Sequence, residues 1–221
     1  MGKLIVIEGV DGAGKNTLAR RLVSAWERDG LKVVRIGFPR YDHSVHADLA
    51  AEALRGGHGD VADSVYAMAL LFALDRQTAA AELRQLLSCN DIVLLDRYVA
   101  SNAAYTAARV HQHANGDAVE WVRALEFDRF DIPVPDTQIL LDVPVDLAAE
   151  RARSRENDDA SRSRDAYERD GSLQSRTSAI YGRLAAVRWA SPWCVVGPDV
   201  DPDRLAAEVF NQPTGDEKVT P

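Results

Sequence analysis

Lysine and cysteine are scarce in this chain, and positive charge does not predominate. Only four of its 26 basic residues are lysines, at positions 3, 15, 32 and 218. The formal net charge of −8 argues against binding to polymeric nucleic acid, because proteins that bind it normally present a basic surface. We therefore expect small-molecule partners and no nucleic-acid polymer.

Neither the cysteines nor the apolar runs of the chain indicate secretion or insertion into a membrane. Cys89 and Cys194 have no metal-binding or redox spacing, so we expect two reduced, buried thiols in a cytoplasmic protein. No apolar run approaches membrane-spanning length and the N-terminus shows no signal peptide, so we expect no membrane partner. The length of 221 residues suits a single domain over 1–211, with a flexible tail at 212–221.

Short apolar runs alternate with helical patterns along the chain. Near-continuous apolar character predicts strands that are covered on both faces, at 4–7, 33–38, 92–95, 139–143 and 193–196. Helical periodicity predicts helices at 17–28, 45–54, 65–87, 119–130, 145–155 and 166–189, and Asp201-Pro202 predicts the start of a last helix that ends near 211. This alternation predicts an α/β fold with a doubly wound parallel sheet.

A glycine-rich segment follows the first predicted strand and opens the first predicted helix. A loop in that position directs several backbone N–H groups to one point, where the helix dipole also favours negative charge. Lys15 can reach the β- and γ-phosphates of a nucleoside triphosphate bound there. The predicted ATP-binding residues are consecutive in the sequence: Gly9, Val10, Asp11, Gly12, Ala13, Gly14, Lys15, Asn16 and Thr17.

The residue after the loop lysine departs from the usual pattern. Serine or threonine normally ligates magnesium at that position, whereas this chain has Asn16. An amide oxygen is a poorer magnesium ligand than a carboxylate. We therefore expect Mg²⁺ to depend on acidic groups elsewhere in the chain.

The strand at 92–95 is followed by Asp96 and Arg97. Asp96 either holds magnesium or its water shell, or simply caps the next segment. Motors that hydrolyse ATP usually place a glutamate at the next position, and the guanidinium of Arg97 instead suits a second phosphate group. A phosphate acceptor is already ionised and needs no general base, so this position favours a kinase over a hydrolase.

Further candidates lie in loops and helices near the predicted phosphate site. Arg40 contacts an acceptor phosphate or is a solvated loop residue. Phe72 and Arg76 share a helix face and could read a nucleobase, or Arg76 could pair with Asp75 or Glu82. The pair Asn102 and Tyr105 could likewise line a pocket or serve packing and capping.

Residues 151–164 carry five arginines and almost no apolar residue. Such a segment is either a solvated linker or a mobile lid that closes over the triphosphate and supplies an arginine to the transferring group. Because helical patterns flank it and the glycine loop carries no arginine, we favour a lid at about 150–164.

Taken together, these motifs resemble those of the thymidylate kinase family, in wording close to its actinobacterial, mycobacterial-type members. The resemblance runs from about residue 4 to 205, and its carriers are EGVDGAGK at 8–15, FPRY at 38–41, YAMALLFALDR at 66–76, DRYVASNAAY at 96–105 and RSRDAYERD at 162–170. It implies a P-loop fold of the nucleoside-monophosphate-kinase type and transfer of the ATP γ-phosphoryl group to dTMP, giving dTDP. It also implies Mg²⁺ and a homodimer packed through the long central helices.

The resemblance assigns expected roles to individual residues. Phe72 would stack on thymine, Arg76 would bond its O4, Asn102 would face its N3 edge, and Tyr105 would crowd the sugar 2′ position. Arg97 and Tyr41 would hold the acceptor-phosphate region, with Arg40 nearby, and Phe38 would also belong to the substrate-binding residues. Asp11 would serve the 3′-hydroxyl side and the metal, and the segment closing on the acceptor would contribute Asp165, Tyr167 and the metal ligand Glu168. Some family members carry a catalytic arginine at the position of Gly12, so this chain resembles the lid-arginine type. The candidate lid arginines are Arg151, Arg153 and Arg155. The residues predicted to be catalytic are Lys15, Arg97, Asp11, Arg153 and Arg155.

Two other functions are compatible with a phosphate-binding loop. A deoxynucleoside kinase or another small-molecule kinase would phosphorylate a hydroxyl group and would need a base near it. A nucleotide-switch protein is the less favoured alternative, because no guanine-specific Asn-Lys-x-Asp element is present.

Overall fold

A five-stranded sheet, parallel throughout, forms the centre of the computed structural model, which describes residues 1–158 and 166–212 apart from three side chains: Arg155, Asn157 and Asp158. The strand order is β2-β3-β1-β4-β5. The strands are β1 Lys3–Glu8, β2 Val33–Gly37, β3 Ile92–Asp96, β4 Thr137–Leu141 and β5 Trp193–Val196. The predicted α/β fold with a parallel sheet is therefore confirmed.

Helices connect the strands. They are α1 Lys15–Arg28, α2 Val45–Leu54, α3 Val65–Cys89, α4 Val99–Arg109, α5 Asp117–Arg123, α6 Val145–Asp158, α7 Ala166–Arg169, α8 Gly171–Ala186 and α9 Pro202–Asn211, with a π-helical segment at Ala124–Arg129 directly after α5. The predicted start of the last helix is confirmed, because the Asp201 carboxylate accepts hydrogen bonds from the backbone N–H groups of Asp203 and Arg204.

Helix α4 was not predicted from the sequence. Its alanines allow it to approach neighbouring elements closely, and Ala100, Ala103, Ala104 and Ala107 are fully buried. Small side chains do not give the contrast between apolar and polar residues on which a search for periodicity depends. The helix nevertheless matters for function, since it carries Asn102 and Tyr105.

Two predicted helices are interrupted in the structure. The predicted helix at 119–130 changes at Arg123 from α-helix to the π-helical segment. The predicted helix at 166–189 divides into α7 and α8, because Asp170 caps α8 by accepting hydrogen bonds from Ser172 N at 3.0 Å and Leu173 N at 2.9 Å. Part of the predicted lid at 150–164 lies on α6, and its remainder lies outside the described residues, as do 213–221 of the predicted tail.

The cysteine prediction is partly wrong. Both thiols are free, but Cys89 is exposed and Cys194 is partly exposed, so neither is buried. Cys89 is the last residue of α3, and the end of a helix is more exposed than an apolar pattern suggests. Within 1–158 and 166–212, no helix combines the length and the apolar character that crossing a membrane requires.

The carboxyl ends of the parallel strands lie along one edge of the sheet. The glycine loop follows β1, Phe38 and Arg40 follow β2, and Arg97 follows β3. Ligands of such sheets bind beyond this edge. The order of the strands therefore brings together loops that are far apart in the sequence.

Candidate active site

A cleft of about 760 Å³ opens at the carboxyl edge of the sheet. The predicted site residues that line it are Asp11, Gly12, Gly14, Lys15, Asn16, Thr17, Phe38, Tyr41, Phe72, Arg76, Arg97, Asn102, Tyr105, Tyr167 and Glu168. Gly9, Val10 and Ala13 complete the glycine loop without being part of this lining, and Arg40 and Arg153 are not part of it either. One cavity thus joins the phosphate loop to the predicted base-reading residues.

The glycine loop packs tightly against helix α6. Gly12 has a φ of 81°, and a Cβ atom at this residue would lie 2.0 Å from the backbone oxygen of Ala148. Only glycine tolerates both the backbone conformation and this contact. An arginine therefore cannot replace Gly12 while α6 keeps this position.

Lys15 is folded back onto its own loop. Its ammonium group donates hydrogen bonds to the backbone oxygens of Gly9 at 3.0 Å and Val10 at 2.9 Å. Burial, followed by the nearby Arg97 guanidinium, lowers the pKa of Lys15 to about 8. The phosphate-binding role predicted from the sequence would require Lys15 to exchange these carbonyl oxygens for phosphate oxygens.

Asp11 is the centre of a polar cluster at the floor of the cleft. Its carboxylate accepts hydrogen bonds from the Arg97 guanidinium, from Tyr105 Oη at 2.7 Å and from Gln174 Nε2 at 3.2 Å. Although burial alone would raise it, the Arg97 guanidinium and then Lys15 hold the pKa of Asp11 well below its ordinary value. The carboxylate is therefore ionised throughout the physiological range.

Arg97 adopts a backbone conformation that is unusual for a residue with a side chain. Its φ is 68°, and its guanidinium also donates to Ser101 Oγ at 3.1 Å. Non-glycine residues in the left-handed region cluster at functional sites, where the surrounding structure holds them. The conformation directs Arg97 from the end of β3 into the cleft.

Arg76 and Asn102 are both held by Glu126, a residue that no sequence motif marks. Glu126, fully buried in the π-helical segment, accepts hydrogen bonds from Arg76 Nε at 2.5 Å, Arg76 Nη2 at 2.8 Å and Asn102 Nδ2 at 2.7 Å. Burial would lower the pKa of Arg76, but the Glu126 carboxylate outweighs it and raises that pKa above the ordinary value. Arg76 therefore pairs with neither Asp75 nor Glu82, and no periodic signal marks Glu126.

Arg40 is turned away from the cleft and fixed to helix α3. Its guanidinium donates to Asp75 Oδ1 at 2.9 Å, to Thr78 Oγ1 at 2.7 Å and to Glu82 Oε2 at 3.4 Å. Asp75 and Glu82 are thus partners of Arg40 rather than of Arg76. The neighbouring Phe38 and Tyr41 line the cleft.

Asn16 also has a partner that the sequence pattern does not reveal. Arg35, on β2, donates to Asn16 Oδ1 at 3.1 Å and to Asp96 Oδ2 at 3.3 Å. The guanidinium joins the first turn of α1 to the end of β3. Among 1–158 and 166–212, no group of three or more metal-binding side chains is present.

The cleft nevertheless fits a magnesium ion that is shared with phosphate oxygens. Asp11, Asp96 and Glu168 all line it, and carboxylate oxygens are ligands that Mg²⁺ prefers. Magnesium usually takes only one or two carboxylates from the protein, together with water and substrate phosphates. A ready-made cluster of ligands is therefore not required.

The arginines of α6 face different ways. Arg151 lines the cleft, and its Nη1 lies 3.4 Å from the backbone oxygen of Ala13 in the glycine loop. Arg153 instead lines a small separate cavity of about 80 Å³, beside Val10 and Ala152. The side chain of Arg155 and the whole of Asp165 lie outside the described residues.

Tyr167, on α7, packs against the part of the cleft that Tyr105 lines. Its ring stacks on Tyr105 with ring centres 6.0 Å apart, and the Arg109 guanidinium lies 4.8 Å from the Tyr167 ring centre. Gln174, which donates to Tyr167 O at 2.9 Å, links this stack to Asp11. No pattern in the sequence points to Gln174 or Arg109.

Comparison with known proteins agrees with this geometry. A family model described as thymidylate kinase matches residues 7–191. A thymidylate kinase of Mycobacterium tuberculosis (strain CDC 1551 / Oshkosh) is 57% identical over 204 residues, which are 92% of this chain and 95% of that protein. A thymidylate kinase of Akkermansia muciniphila is 32% identical over 210 residues, 94% of this chain and 89% of that protein. A probable thymidylate kinase of Thermococcus kodakarensis is 37% identical over 156 residues, 68% of this chain and 71% of that protein. The resemblance found in the motifs is confirmed, and the chain belongs to the thymidylate kinase family.

Proposed function

We propose that the protein transfers the γ-phosphoryl group of ATP to dTMP and releases dTDP and ADP, the step that leads toward dTTP. The observation that carries this proposal is a single cleft that joins a phosphate loop to a buried pair of base-reading side chains, Arg76 and Asn102. The names of the similar proteins support dTMP as the acceptor.

Base recognition rests on helices α3 and α4. Phe72 lines the cleft one helical turn from Arg76 and presents a ring on which thymine can stack. Arg76 is the proposed donor to O4, and Asn102 is the proposed partner of N3. We therefore expect dTMP to bind more weakly if Phe72, Arg76 or Asn102 loses its orientation.

Sugar recognition rests on Tyr105 and Asp11. The Tyr105 hydroxyl donates to the Asp11 carboxylate at 2.7 Å, which fixes the ring at the floor of the cleft. We propose that this ring excludes a ribose 2′-hydroxyl and that Asp11 serves the 3′-hydroxyl side. Replacing Tyr105 with alanine is expected to relax the discrimination against ribonucleotides.

Phosphoryl transfer in this site depends on positioning and on charge neutralisation. Lys15 is proposed to follow the γ-phosphoryl group, and Arg97, with Tyr41 nearby, to hold the acceptor phosphate. No residue is required to remove a proton, because the acceptor phosphate is already ionised. Mg²⁺, bound with the phosphates beside Asp11 and Glu168 and supported by Asp96, would neutralise charge on the donor triphosphate.

The remaining charge is proposed to be neutralised from helix α6. The family resemblance favours Arg153 and Arg155, but the contacts of the described residues favour Arg151, which lines the cleft beside the glycine loop. Gly12 supports this assignment, since a Cβ atom there would clash with Ala148 and this position of the loop therefore has no space for an arginine. We propose Arg151 as the lid arginine, with the lid at about 150–164 and with Asp165 and Tyr167 closing on the acceptor.

We also propose that two copies associate through helix α3. Tyr66 and Leu70, one turn apart, remain 43% and 39% exposed, and Tyr66 packs edge-on against Trp121 with ring centres 5.0 Å apart. An exposed apolar surface of this kind is typical of an interface. Sedimentation velocity is the direct test of this association.

We further propose that the protein is cytoplasmic, which is consistent with its free cysteines.

The proposed reaction is tested by a coupled assay of ADP release with a panel of nucleoside monophosphates. We expect dTMP to be the preferred acceptor and thymidine, offered at the same concentration, to be inactive. Faster turnover with thymidine would indicate a deoxynucleoside kinase. ATP turnover that is independent of any acceptor would indicate a nucleotide-switch protein.

A further inference from the structure

Glu126 is a buried acid that touches both proposed base-reading residues without lining the cleft itself. It lies in the π-helical segment Ala124–Arg129, and its side chain is completely excluded from solvent. Single-turn π segments often occur at functional sites. The carboxylate can only accept hydrogen bonds, so it restricts what its partners can offer to a ligand.

The hydrogen bonds of Asn102 fix the orientation of its amide group. Asn102 Nδ2 donates one hydrogen bond to Glu126 Oε1 at 2.7 Å and a second to the backbone oxygen of Ala69 at 3.0 Å. Both N–H groups are therefore used, and a flipped amide would direct its oxygen at two acceptors. Asn102 Oδ1, whose protein contact is a 3.5 Å approach from Thr106 Oγ1, is the atom that can serve a base.

The hydrogen bonds of Arg76 fix the orientation of its guanidinium group. Nε and Nη2 form a bidentate pair with the two oxygens of Glu126. This leaves the Nη1 group, with two N–H donors, as the part of the guanidinium that can serve a ligand, and Arg76 lines the cleft. The pocket therefore offers a donor and an acceptor side by side.

We propose that Glu126 is a positioning residue that fixes the hydrogen-bond polarity of the base pocket and thereby selects thymine over cytosine. Thymine presents an O4 acceptor and an N3–H donor, which match Arg76 Nη1 and Asn102 Oδ1. Cytosine presents an N4–H₂ donor and an N3 acceptor, which oppose both groups. This inference rests on the proposed function, because it assumes that the cleft holds a pyrimidine nucleotide.

Glu126→Gln is the variant that separates this role from simple packing. Glutamine has nearly the same shape, but its N–H₂ must face either Arg76 Nε or the pair formed by Arg76 Nη2 and Asn102 Nδ2. One or more hydrogen bonds then become a contact between two donors, which releases Arg76 or allows the Asn102 amide to turn. Glu120→Gln makes the same chemical change in α5, at a side chain that is 65% exposed and pairs with Arg123.

The measurement is kcat/KM for dTMP and for dCMP in the wild type, Glu126→Gln, Glu126→Asp and Glu120→Gln. We expect Glu126→Gln to reduce the preference for dTMP over dCMP by about tenfold or more, mainly through KM. Glu126→Asp, which keeps an acceptor-only carboxylate, is expected to bind dTMP more weakly with the preference largely kept. Glu120→Gln is expected to behave as the wild type does.

The ratio is measured on folded enzyme, so loss of stability alone does not change it. An unchanged dTMP preference in Glu126→Gln, or an equal loss in Glu126→Asp, overturns the inference. A wild type that is inactive on dTMP would instead refute the proposed function. A second measurement uses only the wild type and N3-methyl-dTMP, which lacks the N3–H donor. We expect kcat/KM to be about tenfold or more lower than with dTMP, and full activity would also overturn the inference.

Discussion

The proposed acceptor and donor sides of the cleft differ in how firmly the protein holds their side chains. On the acceptor side, Arg76 and Asn102 are buried and held by Glu126 through hydrogen bonds of 2.5–2.8 Å. On the donor side, Lys15 bonds to the carbonyl oxygens of its own loop, and Arg151 makes a single long contact of 3.4 Å with Ala13. The protein thus holds the proposed base-reading residues through its own hydrogen bonds, whereas Lys15 and Arg151 would have to change partners to contact phosphate.

The burial of the charges supports the same distinction. The Arg76 and Glu126 side chains are 4% and 0% exposed, whereas Arg151 is an exposed residue of α6. Removing one partner from a buried ion pair is costly, and an exposed arginine moves at little cost. A fixed pocket suits selection of the acceptor, and a free arginine suits an interaction that forms only in the transition state.

The largest effect is expected from Lys15→Ala, which removes the central cation of the donor side. Loss of a charge that follows the transferring phosphoryl group should reduce kcat by about 10³-fold or more. The coupled ADP-release assay measures this loss, and circular dichroism checks that the variant is folded. Turnover near the wild-type rate would contradict the assignment of the phosphate loop.

Arg151→Ala and Arg153→Ala form a matched pair on one helix. Arg151 lines the cleft and Arg153 does not, so we expect a loss in kcat of about 10³-fold for Arg151→Ala with little change in KM for dTMP. Arg153→Ala is expected to remain close to the wild type. The opposite ranking would restore the assignment made from the sequence, and equal activity of both variants would exclude a lid arginine at these positions.

Arg76→Ala tests the acceptor side. We expect dTMP affinity to fall about tenfold to a hundredfold, since a charged hydrogen bond is worth about 1.5–3 kcal/mol. We also expect the melting temperature to fall, because Glu126 loses Arg76, its buried charged partner. Arg123→Ala, which breaks exposed ion pairs with Glu120 and Asp128, is the control and should change neither quantity much. Isothermal titration calorimetry and thermal unfolding measure both effects. Lost stability with unchanged dTMP affinity would show that Arg76 serves only the fold.

The smallest effect concerns pH and again belongs to the donor side. Because the pKa of Lys15 is lowered to about 8, its charge is present below that pH and is lost as the pH rises through it. If the charged form binds the triphosphate, ATP affinity should fall up to about tenfold between about pH 7 and 9. Lys15→Arg, whose guanidinium remains charged, should show a flatter profile in the same titration. Parallel profiles for both proteins would assign the pH dependence to another group.

The sequence predicted the sheet, most helices and the positions of the phosphate loop, because these depend on local patterns of apolar residues and glycine. It did not predict what the charged residues contact. Sequence patterns do not distinguish Arg40, which Asp75 holds outside the cleft lining, from Arg76, which lines the cleft and is held by Glu126, 50 residues away. Such pairings depend on tertiary packing and on a change from α- to π-helix that leaves no trace in the hydrophobic pattern.

In the predicted lid, too, the sequence pattern does not reveal what each charged side chain contacts. Arginine density points to 151–164, but the directions of Arg151 and Arg153 depend on how α6 packs on Gly12. That contact places Arg151 beside the loop and Arg153 on the other cavity. Spacing along the sequence alone could not separate them.

Calorimetric titration of dTMP into the protein, with and without a non-hydrolysable ATP analogue, tests the central contrast most directly. If the acceptor side is already formed, dTMP should bind in the absence of any donor nucleotide, and the analogue should change its Kd by no more than about threefold. If dTMP binds measurably only when the analogue is present, the base pocket is not preformed, and the contrast between the two sides of the cleft is wrong.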